Sequence, residues 1–326
     1  TIALQYKRNV VEWVTKTDPT NAWLIPFLCH DFSARGLSPW DMLSSGLGHA
    51  SSFLGSDTII CIPGARYYYN EPNDQVAIYS VNASEHSVST TKIFTVGEQQ
   101  MIADWLVDFP KGILSIVSDT FDLWKLIIEY LPANKEAIMA RDGKLVIRPD
   151  SGHVVNTLKL VFEILFDKFG YTVNSKGFKV LPPQVRVIQG DGVNIGSIGE
   201  IYEELYRLGI SAENIVFGMG GKLLQADINR DTQNFATKAC FAIVDGVERD
   251  LVKSPTEVDE NGNLIGVNNI NSQESSLKSN GDISVADIRK ELFEGDNIVV
   301  GQTDNGRSEL ISGPFAIKKG DGVMEN

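Results

Sequence analysis

Five polar clusters in this chain carry side chains that could do chemistry, and each stands at the end of a short apolar run. They are His30-Asp31-Phe32 with Arg35, Ser118-Asp119, Arg148-Pro149-Asp150-Ser151-Gly152, Gly190-Asp191-Gly192 and Gly218-Met219-Gly220-Gly221. Taken singly, each aspartate is accounted for as the cap of the helix that follows it. Several aspartates and an arginine brought to one rim are harder to explain by capping. Glycines at a strand end let backbone N–H groups cradle a phosphate, and a helix N-terminus reinforces this. The alternative for Gly218, Gly220 and Gly221 is a tight turn with no ligand; no Gly-Lys-Ser/Thr follows, so this is not a Walker loop. Arg148 ends an apolar run, where a buried charge is costly unless paired. It is salt-bridged to Asp119 or Asp150, or it waits for a ligand whose ring amide its planar guanidinium can stack on or bond. His86 is a further candidate, against the rule that a lone histidine is more often structural or on the surface.

The elements that must position these groups follow one pattern. Apolar runs at 23–32, 58–62, 113–119, 145–150, 185–191 and 215–220 read as strands buried on both faces, as parallel strands are. Between them, 98–109, 121–131, 154–169 and 197–208 place apolar residues three and four apart, as helices do. Alternating strands and helices mean an α/β fold, and at least six units suggest an irregular TIM-like barrel with its active site at the C-terminal strand ends. Residues 1–6 read as a strand that opens on Thr1, not Met, so further N-terminal sequence is expected. After Arg230 the texture changes. Residues 238–245 and 247–253 look like a hairpin around Asp245-Gly246, 254–284 is polar, and 297–302 is another short apolar run. The expected organisation is a strand and helix over 1–21 belonging to a smaller domain, the barrel over 22–230, and the rest of the β-rich smaller domain over 231–326.

Composition narrows the partners. The chain has 326 residues, 42 acidic and 29 basic, for a formal charge of −13. That argues against nucleic acid or an anionic membrane as partner, but not against a small anion held by a few local arginines. Three widely spaced cysteines suggest neither a disulfide framework nor a zinc site, so a reducing, cytoplasmic setting is expected. No apolar run is long enough to span a bilayer and none reads as a signal peptide.

These residues resemble nicotinamide phosphoribosyltransferases of the type II phosphoribosyltransferase family. The resemblance is carried by HDFSARG (30–36), GSDT (55–58), SVNASEHS (80–87), SIVSDTFD (115–122), LVIRPDSG (145–152), NSKGFKVLPP (174–183), VRVIQGDGV (185–193), ENIVFGMGGKLLQ (213–225) and NRDT (229–232), in family order and spacing to about Pro255. It implies an irregular barrel plus a β-rich domain built from both chain ends, NAD salvage as the process, and a homodimer with active sites at the interface. It implies that Phe32 stacks on the nicotinamide ring, Asp57 accepts the carboxamide N–H, and Arg148 contacts the carboxamide or ring. Asp150, Gly190 and Asp191 would hold the ribose hydroxyls. Gly220, Gly221 and Arg35 would bind the phosphates, joined by Arg230 and Lys238 reaching across the dimer. His86, supported by Asp119, would be the histidine that ATP phosphorylates. Two departures stand out: the family's N-terminal segment, which supplies a second aromatic to the nicotinamide site, is absent, and Ala236 stands where the family usually has serine.

The chemistry so implied needs no general base. The pyridine nitrogen carries its own lone pair, and the barrier is loss of pyrophosphate through an oxocarbenium-like centre. The protein's work is positioning and charge, with Mg²⁺ on the leaving group. Asp57 predicts preference for nicotinamide over nicotinic acid, because a carboxylate repels a carboxylate. The rivals are a nicotinate phosphoribosyltransferase of the same fold and a truncated, non-catalytic interaction protein; a barrel enzyme acting on an unrelated sugar phosphate is a third.

Overall fold

The computed structural model describes residues 2–56, 60–75, 78–221 and 238–265, with the backbones of short strands beyond them. The N-terminal residues form a helix, α1 (Ile2–Thr17), where a strand was expected. Ala3, Tyr6, Val10, Val14 and Thr17 are its buried residues, a spacing of three and four that overrides the β-branched look of the segment. Tyr6, Val10 and Val14 belong to the main core.

The centre is a parallel sheet. Its strands are β1 (Cys29–Asp31), β2 (Gly55–Ser56), β3 (Asn82–Ala83), β4 (Lys111–Val117) and β5 (Asp142–Arg148), then, after a short antiparallel pair β6 (Thr172–Val173) and β7 (Lys179–Val180), β8 (Val185–Gln189) and β9 (Ile215–Met219). The order across the sheet is β2-β1-β9-β8-β5-β4-β3. The two edges meet through one short stretch. Ser56 N donates to Tyr79 O at 2.9 Å and Tyr79 N to Leu54 O at 2.7 Å, while three residues on Asn82 pairs with Leu114. Around the ring each strand therefore neighbours the next in sequence, the cyclic order of an α/β barrel, here irregular because β2 and β3 are two residues long.

Two expected strands come out differently. In the run 23–32 only Cys29–Asp31 is strand; Pro19–Phe27 is a 3₁₀ segment containing Pro26, whose missing N–H cannot serve a central ladder. In 58–62 the chain is already entering a helix at Cys61.

The outer layer comprises α2 (Pro39–Ala50), α3 (Cys61–Tyr69), α4 (His86–Val96), α5 (Glu98–Asp108), the short pieces α6 (Leu123–Lys125), α7 (Leu131–Ala133) and α8 (Lys135–Met139), then α9 (Val154–Phe169) and α10 (Ile195–Arg207). On α9, Leu158, Val161, Leu165 and Phe169 form the buried stripe. A capping box between Asn194 and Ser197 starts α10. Trp13 of α1 stacks on Tyr202 of α10 at 6.2 Å, so the first helix covers the last barrel helix.

Beyond the barrel lies a hairpin of β10 (Phe241–Val244) and β11 (Val247–Asp250). Asp245 and Gly246 both have positive φ, 52° and 77°, as a type I′ turn requires. Further antiparallel pairs follow: Glu257–Val258 with Leu264–Ile265, Val299–Gln302 with Ser308–Ser312, and Lys318–Lys319 with Gly322–Val323. Among the described residues no helix is long and apolar enough to cross a membrane.

Candidate active site

The C-terminal ends of β1, β5, β8 and β9 bring one aromatic ring and one charge pair together. Phe32 follows β1, and its backbone N–H donates to Met219 O on β9 at 2.8 Å. Its ring fills the space over Gly218, where a Cβ would stand 2.0 Å from Phe32 Cε2. At Gly190, after β8, a Cβ would lie 3.0 Å from Asp150 Oδ1, 3.2 Å from Phe32 Cε2 and 3.5 Å from Arg148 Cδ. Phe32, Arg148, Asp150, Gly190 and Gly218 thus share one small volume. The Arg148 guanidinium carbon stands 6.0 Å from the Phe32 ring centroid, at the outer limit of a cation–π contact. Its Nη2 reaches Asp150 Oδ2 at only 3.7 Å, and its buried Nε has no hydrogen-bond partner. A half-buried guanidinium so loosely paired has donors left for a ligand.

Beside this group lies a second one, centred on Asp119 after β4. His86 Nε2, in the first turn of α4, is 2.8 Å from Asp119 Oδ1. Ser151 Oγ donates to Asp119 Oδ2 at 2.5 Å, and Lys253 Nζ stands 2.8 Å from the same oxygen. Burial alone would push the Asp119 carboxyl up; the His86 hydrogen bond and the Lys253 charge outweigh it and hold the carboxyl well below the usual carboxylate range. Ser118 locks the two groups together. Its N–H donates to Arg148 O at 2.9 Å and its Oγ to Ile116 O at 2.8 Å, while Arg148 N–H donates back to Ser118 Oγ at 3.3 Å.

Of the remaining candidates, Arg35, Asp191, Gly220 and Gly221 follow β1, β8 and β9 at this rim. Arg35 is exposed in the 3₁₀ turn Ala34–Gly36 just after β1. Asp191 is exposed beside Gly190, its carbonyl held by Gln189 Nε2 at 2.8 Å. Gly220 and Gly221 follow β9, and a Cβ on Gly220 would meet open space. Lys238 is exposed just before the hairpin. Asp57 and Arg230 lie outside the described residues. The chain leading to Asp57 is nonetheless anchored: buried His49 bonds Gly55 O through Nε2 at 2.7 Å, and burial pushes that imidazole down, toward its neutral form. Lys253 and Ser151 are the contacts that sequence reasoning did not single out. Ser151 lay inside a quoted motif; nothing local marks Lys253.

Among the described residues no group of three His, Cys, Asp or Glu could hold a metal by itself. A magnesium ion that keeps most of its waters or phosphate oxygens asks for less, one or two carboxylates, and Asp150 and Asp191 would be the carboxylates to offer it.

Comparison with known proteins adds an independent finding. The nicotinate phosphoribosyltransferase (NAPRTase) family matches residues 27–275. A protein of Xanthomonas campestris pv. campestris named nicotinamide phosphoribosyltransferase is 39% identical over 259 residues, covering 78% of this chain and 54% of that protein. Proteins of the same name from Acinetobacter baylyi and Mycoplasma pneumoniae are each 34% identical, over 280 and 272 residues, covering 78% of this chain and 54% and 56% of their own length. The chain therefore spans about half the length of the curated relatives it matches. Among solved structures, a Saccharomyces cerevisiae chain described as a nicotinate phosphoribosyltransferase is similar at a TM-score of 0.41 and 14% identity, covering 76% of this chain and 53% of that one.

Proposed function

Because the chain belongs to the nicotinate phosphoribosyltransferase family, we propose that it carries the catalytic barrel of a nicotinamide phosphoribosyltransferase. The reaction joins nicotinamide to phosphoribosyl pyrophosphate and releases nicotinamide mononucleotide and pyrophosphate, a step of NAD salvage. The observation that carries the proposal is the Phe32 ring seated against Gly190 and Gly218 beside an incompletely paired Arg148. An aromatic ring and a guanidinium with donors to spare suit a flat heteroaromatic amide.

In this proposal the ring nitrogen attacks C1 of the ribose as the C1–O bond to pyrophosphate breaks, and the electron pair leaves with pyrophosphate. Phe32, Arg148 and Asp57 orient the base; Asp150, Gly190 and Asp191 hold the ribose hydroxyls; Gly220, Gly221, Arg35, Arg230 and Lys238 receive the phosphates. Mg²⁺ bound with the leaving group stabilises its developing charge. Asp119 orients His86, which takes the terminal phosphoryl group of ATP and releases ADP, driving the reaction forward. Two copies pair so that Arg230 and Lys238 serve the neighbouring site, and the setting is the cytoplasm.

The test is product formation from phosphoribosyl pyrophosphate and Mg²⁺ with nicotinamide or nicotinic acid, each with and without ATP. Nicotinamide mononucleotide from nicotinamide only, at a rate raised by ATP, is the expected result. Comparable turnover of both bases, or an Asp57→Asn variant with unchanged preference, would remove Asp57 from the specificity role. Turnover of nicotinic acid alone would make the protein a nicotinate phosphoribosyltransferase. No product with either base, in a protein of the relatives' full length, would favour a non-catalytic role.

A further inference from the structure

Residues 251–258 leave the hairpin and lie across the C-terminal ends of β4 and β5. Leu251 N–H donates to Cys240 O at 2.8 Å, Ser254 N–H to Thr120 O at 3.0 Å and Thr256 N–H to Phe121 O at 3.0 Å; His153 N–H donates to Val258 O at 2.7 Å. A Cβ on Gly152 would stand 2.9 Å from Val258 N, so the strap packs directly on the Asp150-Ser151-Gly152 loop. These bonds bracket Lys253 and aim it at Asp119, whose side chain is 2% exposed against 29% for the lysine. An ion pair on the surface contributes little, because water and salt screen it. Here one partner is almost wholly buried. Removing its cation would leave a buried negative charge with less compensation, which is costly.

Three chain segments therefore fix this one carboxylate: His86 at Oδ1, and Ser151 and Lys253 at Oδ2. Rotation of the carboxylate about its Cβ–Cγ bond is what these contacts prevent. We propose that Lys253 is a positioning residue for His86: by holding Asp119 Oδ2 it keeps Oδ1 presented to the imidazole, and so makes phosphoryl acceptance by His86 depend on the strap that follows the hairpin. This rests on the proposed role of His86. It goes further in making the β-rich part of the chain supply a group that the barrel site requires.

The experiment measures phosphohistidine formed per chain from γ-labelled ATP in wild type, Lys253→Met, Lys253→Arg and, as the zero, His86→Ala. Thermal unfolding of each variant is recorded beside it, together with the imidazole ¹⁵N resonances of His86 in labelled protein. Lys253→Met is expected to lower phosphohistidine formation on the order of tenfold, the size seen when a supporting residue rather than the functional group is lost. Its unfolding temperature should fall, as loss of the cation beside a buried carboxylate requires, but stay above the assay temperature; its His86 resonances should move, and Lys253→Arg should restore most of the signal. Wild-type levels in Lys253→Met with unmoved His86 resonances would overturn the inference, as would a loss that follows the unfolding temperature and is not rescued by arginine. If wild type forms no phosphohistidine, the proposed role of His86 fails. The ¹⁵N resonances then decide the positioning claim: displaced by Lys253→Met it stands, unmoved it falls.

Discussion

Gly218 is where a single atom decides the geometry of the candidate site. The Phe32 ring occupies the place of a side chain there, with Cε2, Cδ2 and Cζ all within 2.5 Å of where a Cβ would be. Sequence reasoning grouped Gly218 with Gly220 and Gly221 as a possible phosphate cradle; the structure separates them, since Gly218 is filled by an aromatic ring and Gly220 faces open space. Gly218→Ala must therefore push the ring aside. Displacing a substrate-orienting group by about an ångström weakens catalysis by up to ~100-fold. We expect the KM for nicotinamide to rise roughly tenfold or more, with a smaller change in the KM for phosphoribosyl pyrophosphate, measured by steady-state kinetics with each substrate varied. Equal effects on both would show that the glycine serves the barrel rather than Phe32. What was legible at this scale were residues marked by a local motif that the structure then brings together: Phe32, Arg148 and Asp150 in one small volume, and His86 bonded to Asp119. Lys253 was not, because its role depends on a strap returning across the barrel from far along the chain.

The long strands and the helices α5, α9 and α10 between 98 and 221 were legible because both periodicities are strong in them; the expected helix over 121–131 is broken into short pieces, and β6, β7 and α8 carry too few residues to show a period. β4, β5, β8 and β9 are apolar runs ending in polar clusters, and α9 and α10 carry unbroken stripes. The elements that escaped are those whose signal is short or interrupted. Pro26 cuts one apolar run, and β2 and β3 have two residues each. The closure of the ring at Tyr79 leaves no trace in hydrophobic pattern, because it is made by main-chain groups. Tyr79 is 54% exposed, and its N–H and C=O hold the edge of β2. This separates two substitutions. Tyr79→Pro removes the donor to Leu54 O and should destabilise the fold by about 2–3 kcal/mol, combining a lost ladder hydrogen bond with an unsatisfied carbonyl. Tyr79→Phe keeps the backbone and the ring and should fall within ~0.5 kcal/mol of wild type. Urea unfolding of the two variants checks this. Equal, small effects would mean that the 79–83 stretch does not close the barrel.

At the scale of the whole molecule the acidic balance meets one buried carboxyl. Glu98 opens α5 against α4 and the helical pieces after β4; it is 2% exposed and its Oε2 has no hydrogen-bond partner. Burial pushes its pKa up to about 8, with Asp122 adding to the rise and Lys125 opposing it. In the unfolded chain the group titrates near its ordinary value of 4.5. Between those two pH values the folded state holds a proton that the unfolded state has released, so stability falls as pH rises, by at most ~1.4 kcal/mol per unit. Above about 8 both states are ionised, the slope from this group ends, and the folded state carries a buried charge. The chain's formal charge of −13 adds a general self-repulsion to the wild-type profile, so wild type alone cannot isolate the effect. The difference between wild type and Glu98→Gln can, because the amide keeps the shape and removes the titration. Glu98→Gln is expected to be close to wild type near pH 5 and more stable by on the order of a few kcal/mol at pH 8.5, as read from urea midpoints at each pH. A difference that stays constant from pH 5 to 8.5 would mean that Glu98 is hydrated or paired in solution, and that the α4–α5 junction opens to water there.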